Sequence, residues 1–574
     1  MRLVLLALAL FVPAAFAASP TGLEEPLKLS ADESVLFVTG TNDIHGGFEP
    51  SSRDNLTLGG FQWLAGYLAA LRAHCDKVYG QKGSVVLLDG GDAAQGTLLS
   101  NFSEGMLAIK LMNEVGYSAA VPGNHAYDFG PEGWQVDAVP AGGDGDPLGA
   151  LRKMIKASAF PFLGANVTDL KDKPLPELPA YTLLPVRDHR KVALIGLENP
   201  ATPATTVREN VAGLKFSPGV DEVKKLVDDL QSSGKADVFV LVMHEGDSKT
   251  PSMKTFLAGL PKRADGQPLL DAVIAGHSHF VNDAKEADIP YVQSSANGRM
   301  FGIIQLVLKK GTDGRLSVER NRTRQKGGIP IEPKQGTFLG EAVDADAKIA
   351  KMIADARKSV DSIASRVLCS TPDAISYTDG RTSDSAMGNL LADMMRAAAG
   401  TDIAMINSGD VRFGLPKGTI TYEDLFEVVP KNVQLVTIEK CPIDKLVKNM
   451  HASIESCGRR GALQFSGIKV EFKRDCSAPV MGVDKNAQLT KIVTDAGKVL
   501  YELKGDQPVF SKEPVSVATT DFMMEGGAGY VFFKDLPTTA PKALRDEVAD
   551  QLVKVKKLKP ADYAPGRYRN LLGN

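Results

Sequence analysis

Cysteine is sparse in this chain, and the spacing that would make it a metal ligand is missing: none of the five cysteines stands in a C-x2-C pair. A cysteine-bound structural zinc is therefore not expected. Four of the five, Cys369, Cys441, Cys457 and Cys476, fall in the C-terminal part. In an oxidising compartment they could form two disulfides in any of three connectivities. Cys75 stands alone in the N-terminal part and is expected as a buried thiol. The chain has no basic run and a formal net charge of -3, which argues against a protein that grips a nucleic-acid polymer by its backbone. Low-complexity tracts and internal repeats are absent. Beyond the N-terminus no apolar stretch approaches the roughly 20 residues that cross a bilayer. The closing Arg569-Asn570-Leu571-Leu572-Gly573-Asn574 is no lipid-anchor signal, so no membrane anchor is expected.

What is present begins with an address. Arg2, an apolar run over 3–12 and then Ala15-Phe16-Ala17 have the form of a cleavable signal peptide over 1–17. A periplasmic or secreted product is expected. At 574 residues the remainder is too long for one core, so at least two domains are expected. Apolar runs at 35–41, 85–88, 119–121, 192–197, 238–243 and 270–275 read as buried strands, and 291–308 reads as two strands of a hairpin or meander. Helical periodicity occupies 59–73 and 106–115, and a Gly- and Asp-rich loop over 141–147 is expected to be exposed. Alternating strands and helices predict an α/β class. An amphipathic helix over 345–363, with Ile349, Met352, Ile353 and Val360 as its stripe, would join two α/β units. In the second unit, 388–399 reads as a helix, 403–406 and 515–519 as strands, and 407–412 and 526–530 as loops. The expected division is a first domain over 32–340, a linker helix over 341–364 and a second domain over 365–570.

The chemistry sits at the ends of the predicted strands. Asn42-Asp43-Ile44-His45, Gly91-Asp92, Gly123-Asn124-His125, His244 and Gly276-His277-Ser278-His279 each follow an apolar run. Five of the eight histidines fall in these positions, a placement that structural histidines do not explain. Imidazole mixed with carboxylate suits Zn, Mn, Fe or Co better than Mg or Ca. Two such divalent ions about 3.5–4 Å apart clamp a phosphoryl group and activate a water. Asp92 is the natural bridge between them. Asp128, three residues after His125, can orient that imidazole.

These motifs resemble the calcineurin-like metallophosphoesterases one by one. Arg381 with Met387-Gly388-Asn389-Leu390, the stretch from Asn407 to Arg412, and Phe522 with its glycine-rich turn resemble the 5'-nucleotidase C-terminal domain. The resemblance implies an N-terminal two-sheet αββα sandwich and a smaller α/β domain that supplies substrate contacts and swings toward the metals. It implies one ion held by Asp43, His45, Asp92 and His279, and the other by Asp92, Asn124, His244 and His277. His125, oriented by Asp128, would assist catalysis. Arg381, Asn407, Arg412 and Phe522 would hold a small-molecule nucleotide, the arginines on phosphate and the ring on the base. Ala126 stands where the family commonly has an acidic residue. Pro430-Lys431-Asn432 lacks the aromatic of the family's Pro-Phe motif, and Ala528 replaces the carboxylate of the Gly-Gly-Asp-Gly turn. The function implied is an exported two-metal phosphohydrolase acting on nucleotides. The alternatives are the same metal core acting on a sugar-phosphate, cyclic nucleotide, nucleotide-sugar or sulfur-group ester, or a non-catalytic binding protein.

Overall fold

The computed structural model describes residues 21–573 except 54–55, 134–144, 187–189, 248–251, 378–379, 459–460 and 478–482. The expected signal peptide and most of the 141–147 loop lie outside the described residues. The N-terminal part runs β1 (Glu33–Thr41), α1 (Phe61–Tyr79), β2 (Gly83–Asp89), β3 (Ala119–Ala120), β4 (Arg190–Leu197), α2 (Val220–Ser232), β5 (Val238–Met243), β6 (Ala272–Ala275), β7 (Ile289–Ser294) and β8 (Met300–Lys310). In one sheet β1 pairs antiparallel with β8 and parallel with β2, which continues parallel to β3. In the other, β7, β6, β5 and β4 lie parallel in that order. Each sheet has six strands.

The strands read as continuous apolar runs because both of their faces are covered. Leu36 and Val38 of β1 meet Val240 and Val242 of β5 between the sheets. The alternate residues Val35 and Phe37 face outward onto Phe61, Leu64, Leu68 and Leu71 of α1. On the far side, Phe239 and Leu241 pack on Val223, Val227 and Leu230 of α2. The result is the αββα layering.

The hairpin expected over 291–308 does not form: β7 belongs to one sheet and β8 to the other. The turn between them is pinned to the loop after β1. The Asn42 side chain donates to the Ser295 carbonyl and accepts from the Ser294 amide, and the Asn297 amide donates to the Asp43 carbonyl. A strand buried on both faces carries no mark of which sheet it joins.

Helix α3 (Ala347–Ala364) starts on Asp346, whose side chain accepts from the Ile349 amide. It buries Ile349, Ile353, Val360 and Ala364, while Met352 is only partly covered. This stripe shares a hydrophobic cluster with α1 and with Leu425 and Phe426 of the C-terminal part. Beyond it come α4 (Ala386–Ala399), β9 (Ile403–Asn407), β10 (Gln434–Cys441) and β11 (Val515–Thr520), with β11 between β9 and β10 in a five-stranded sheet. Of the two disulfides considered, Cys457–Cys476 forms. Cys369 and Cys441 stay as buried, unbridged thiols, because they sit in different hydrophobic clusters.

Candidate metal centre and substrate face

Parallel strands end on one side, and that places the chemistry. The loops after β1, β2 and β3 in one sheet and after β5 and β6 in the other leave from the same edge of the sandwich. They bring Asp43 and His45, Asp92, Asn124 and His125, His244, and His277 and His279 together. Ligand atoms of Asp43, His45 and His279 form one group within 4.8 Å of each other, and those of Asp92, His244 and His277 a second. Asn124 Oδ1 joins the second, 3.0 Å from both His244 Nε2 and His277 Nδ1. Asp92 Oδ2 reaches both groups, 3.0 Å from His244 Nε2 and 3.9 Å from His45 Nε2.

The local backbone is held in unusual conformations to achieve this. Asp43, His45, Asp92, His277 and His279 all have φ between 47° and 69°, a region that costs a non-glycine residue about 1–3 kcal/mol and concentrates at functional sites. Gly123 also has positive φ, and a Cβ there would stand 2.3 Å from Asp92 Oδ1. Only glycine lets the Asn124 turn approach the carboxylate this closely.

The donor set fits cations. His45 and His244 each donate Nδ1–H to a backbone carbonyl, of Gln95 and Gly90 respectively, at 2.7 Å. That fixes the tautomer and turns Nε2 into the cluster. His45 Nε2 and His279 Nε2 face each other at 3.1 Å, and buried Asp43 Oδ1 accepts no hydrogen bond among the described residues. Burial pushes His45 and His277 down to about 3, so both are neutral donors of a lone pair. At His244 burial acts the same way, but the adjacent Asp92 overrides it and holds the ring up at about 10. The centre thus draws a positive charge to that nitrogen even without an ion.

Beside the two groups, His125 Nδ1 lies 2.6 Å from Asp128 Oδ2, and Thr206 Oγ1 donates to Asp128 Oδ1 at 2.7 Å. Burial lowers the His125 pKa against the pull of Asp128 and Asp92. Its Nε2 accepts from Arg412 Nη2 at 2.7 Å, across the junction of the two parts of the chain. Arg412 therefore reaches the centre. Arg381 is exposed, within electrostatic reach of Arg412. Asn407 is buried, and its Oδ1 accepts no hydrogen bond among the described residues.

The expected base-stacking ring is not open. Phe522 is 8% exposed, Lys431 Nζ stands 4.8 Å above its centroid, and a Cβ on Gly527 would meet its ring atoms at 2.5 Å. A cavity of about 220 Å³ lies at the junction beside it, lined by Pro203, Ala204, Thr206, Arg208, Phe522 and Glu525 among others.

Sequence reasoning missed three residues here. Glu198, fully buried, accepts the Gly123 amide at 2.9 Å. It directly follows β4 and so carries the same strand-end signal. Thr206 had no signal in the sequence. Asp410, inside the 407–412 loop, pairs with Lys431 at 3.3 Å, which only the tertiary fold reveals.

Residues 365–535 match the family described as 5'-nucleotidase, C-terminal domain. The 5'-nucleotidase of Diplobatis ommata is 24% identical over 569 residues, covering 91% of this chain and 89% of its own length. Endonuclease YhcR of Bacillus subtilis is 25% identical over 441 residues, 75% of this chain but only 34% of that longer protein. Among solved structures, the 5'-nucleotidase precursor from Thermus thermophilus superposes with a TM-score of 0.72 at 20% identity, covering 94% of this chain and 100% of that one.

Proposed function

We propose that the chain is a member of the 5'-nucleotidase family, on the match of residues 365–535 and the likeness of fold, and that it is an exported, metal-dependent hydrolase of small phosphoesters, nucleotides among them. The observation that carries the reading is the junction: two donor groups lie side by side, with Asp92 Oδ2 of the second 3.9 Å from His45 Nε2 of the first, and a guanidinium from the other part of the chain stands 2.7 Å from His125 beside them. Asp43, His45, Asp92 and His279 would hold one divalent ion, and Asp92, Asn124, His244 and His277 the other. Bound there, such a pair would polarise phosphoryl oxygens and lower the pKa of a water.

The chain's own residues do the rest. Arg412 offers a planar fork to the phosphate, and Arg381 stands near enough to add charge. His125 is neutral at rest, with its Nδ1–H on Asp128 and its Nε2 taken by Arg412. A phosphate dianion entering between them would take over Arg412 and favour a proton on His125 Nε2, which is then placed for the leaving oxygen. Asp128 stabilises that imidazolium and keeps its ring oriented. The working division is a metal-binding domain over 32–340, a linker helix over 341–364 and a substrate domain over 365–570, with 1–17 removed on export.

Dialysis against a chelator is expected to abolish hydrolysis of an aryl phosphate, and Mn, Zn or Co to restore it. Full activity in metal-free protein would end the reading. N-terminal sequencing of the exported protein checks cleavage near Ala17.

A further inference from the structure

The pair Asp410–Lys431 occupies the place where the family resemblance puts a nucleobase. Lys431 is 9% exposed, its Nζ lies over the Phe522 ring at 4.8 Å and 3.3 Å from Asp410 Oδ1, and it is near enough to Asp128 to lower that carboxyl. Phe522 thus has a cation over its ring and Gly527 packed closely against that ring. Stacking a base on it would require breaking a buried ion pair, which leaves Asp410 an uncompensated buried charge.

Asp410 supplies the second half of the argument. It is fully buried, two residues before Arg412, and neither of its oxygens accepts a hydrogen bond among the described residues. Asn407 Oδ1 and Ser408 Oγ, in the same loop, are also buried without a hydrogen-bond partner. A buried carboxylate in this state calls for donors, and a molecule gripped by Arg412 through its phosphate would present its next atoms to this loop.

We propose that Asp410 is a specificity-determining residue that accepts hydrogen bonds from hydroxyls of the leaving group, with Lys431 holding the carboxylate in place. The preferred substrates are then phosphate monoesters of polyhydroxylated alcohols, such as sugar phosphates, and a nucleobase adds little. This rests on the phosphohydrolase reading above.

The test uses the metal-loaded full chain and compares kcat/KM for ribose 5-phosphate, 2-deoxyribose 5-phosphate, 5'-AMP, phosphoethanolamine and 4-nitrophenyl phosphate. Ribose 5-phosphate is expected to match or exceed 5'-AMP and to exceed its deoxy analogue by about tenfold or more, the scale of one hydrogen bond to a charged group. Asp410→Asn should lower the ratio of ribose 5-phosphate to nitrophenyl phosphate by about 10- to 100-fold. Lys431→Phe should raise 5'-AMP relative to ribose 5-phosphate. The wild-type ratios stand even if a variant fails to fold. A strong preference for 5'-AMP, or equal rates on ribose and deoxyribose esters, overturns the proposal. So does a preference for phosphoethanolamine, which would make the donor an ammonium. Turnover of nitrophenyl phosphate with no hydroxyl preference sinks this inference alone. No turnover of any ester sinks the phosphohydrolase reading, and this inference with it.

Discussion

Thr206→Val tests the proposed catalytic dyad of His125 and Asp128 without touching a proposed metal-binding residue. Thr206 is buried, and its hydroxyl is the donor to Asp128 Oδ1, at 2.7 Å. Valine keeps the shape and removes the donor, leaving one oxygen of a buried carboxylate unpaired. That costs about 1–3 kcal/mol. If the full amount is felt where Asp128 supports a charged His125, kcat falls by about 5- to 100-fold at roughly 1.4 kcal/mol per decade. The pH dependence has a definite sign. Burial alone would raise the Asp128 pKa, but His125, Lys431 and Thr206 outweigh it and hold the carboxyl below its ordinary value. A carboxyl depressed in the fold contributes stability above its unfolded pKa and loses it as pH falls through the folded one. Removing the hydroxyl moves the folded pKa up, so the acid limb of the kcat profile and the acid loss of stability both shift to higher pH. Thr206→Ser retains the donor and should restore most of both. The assay is kcat against pH on 4-nitrophenyl phosphate, with metal content and Tm measured alongside. A serine variant as damaged as the valine one, or a valine variant with wild-type kcat and an unmoved acid limb, would refute the chain of support from Thr206 through Asp128 to His125.

His125→Ala should lower kcat by about 10²–10⁴ with metal content near wild type. Loss of the metals would show that His125 is a ligand instead. Glu525, at the junction, is pushed up to about 7 by burial together with Glu209 and Asp521. A carboxyl raised in the fold stabilises fully below its unfolded pKa and loses that contribution as pH rises through the folded value. Glu525→Gln should therefore gain Tm relative to wild type between pH 5 and pH 8, and a pH-independent difference would contradict the assignment. Burial pushes Cys369 up to about 11 and Cys441 up to about 12. Alkylation of the native protein near pH 8 should leave both unmodified, while unfolding without reductant should expose three thiols, because only Cys457 and Cys476 are bridged. One or five would be inconsistent with this structure.

The candidate metal centre was legible as a cluster because of where its residues stand. A histidine or aspartate directly after a run such as 238–243 sits at a strand's carboxyl end, and parallel strands deliver such ends to one edge. The positive φ of Asp43, His45, Asp92, His277 and His279 was not legible, since nothing in those side-chain types announces it. The crossover from β7 to β8 was invisible for a related reason: an apolar run buried on both faces pairs equally well in either sheet. Asp410 and Lys431 were visible as residues, but their contact spans 21 positions and is set by how the 407–412 loop packs on the segment after Pro430. The substitution of a base-stacking aromatic by Lys431 reads in the sequence as a loss. In three dimensions Lys431 forms an ion pair that covers the remaining ring.

The junction between the two parts of the chain is unequal along its length. Near the candidate metal centre it is polar: Arg412 on His125, Asn101 donating to the Pro430 carbonyl at 3.1 Å, and Arg208 reaching the Glu525 carbonyl at 3.4 Å. At α3 it is apolar, with Ile349, Ile353 and Val360 in one cluster with α1 and Leu425, while Arg357 ties Glu49 to Glu423. Separating the polar contacts exposes groups that water can satisfy, whereas separating the apolar ones loses about 25 cal/mol for each Å² uncovered. On the proposed function, a phosphate would have to enter where Arg412 meets His125, because that contact occupies the space it would need. A movement that opens this mouth and keeps α3 packed breaks the less costly half of the junction. An opening of the site would then be expected at the Arg412 end with its pivot near α3, and would carry Phe522, Lys431 and Asp410 together.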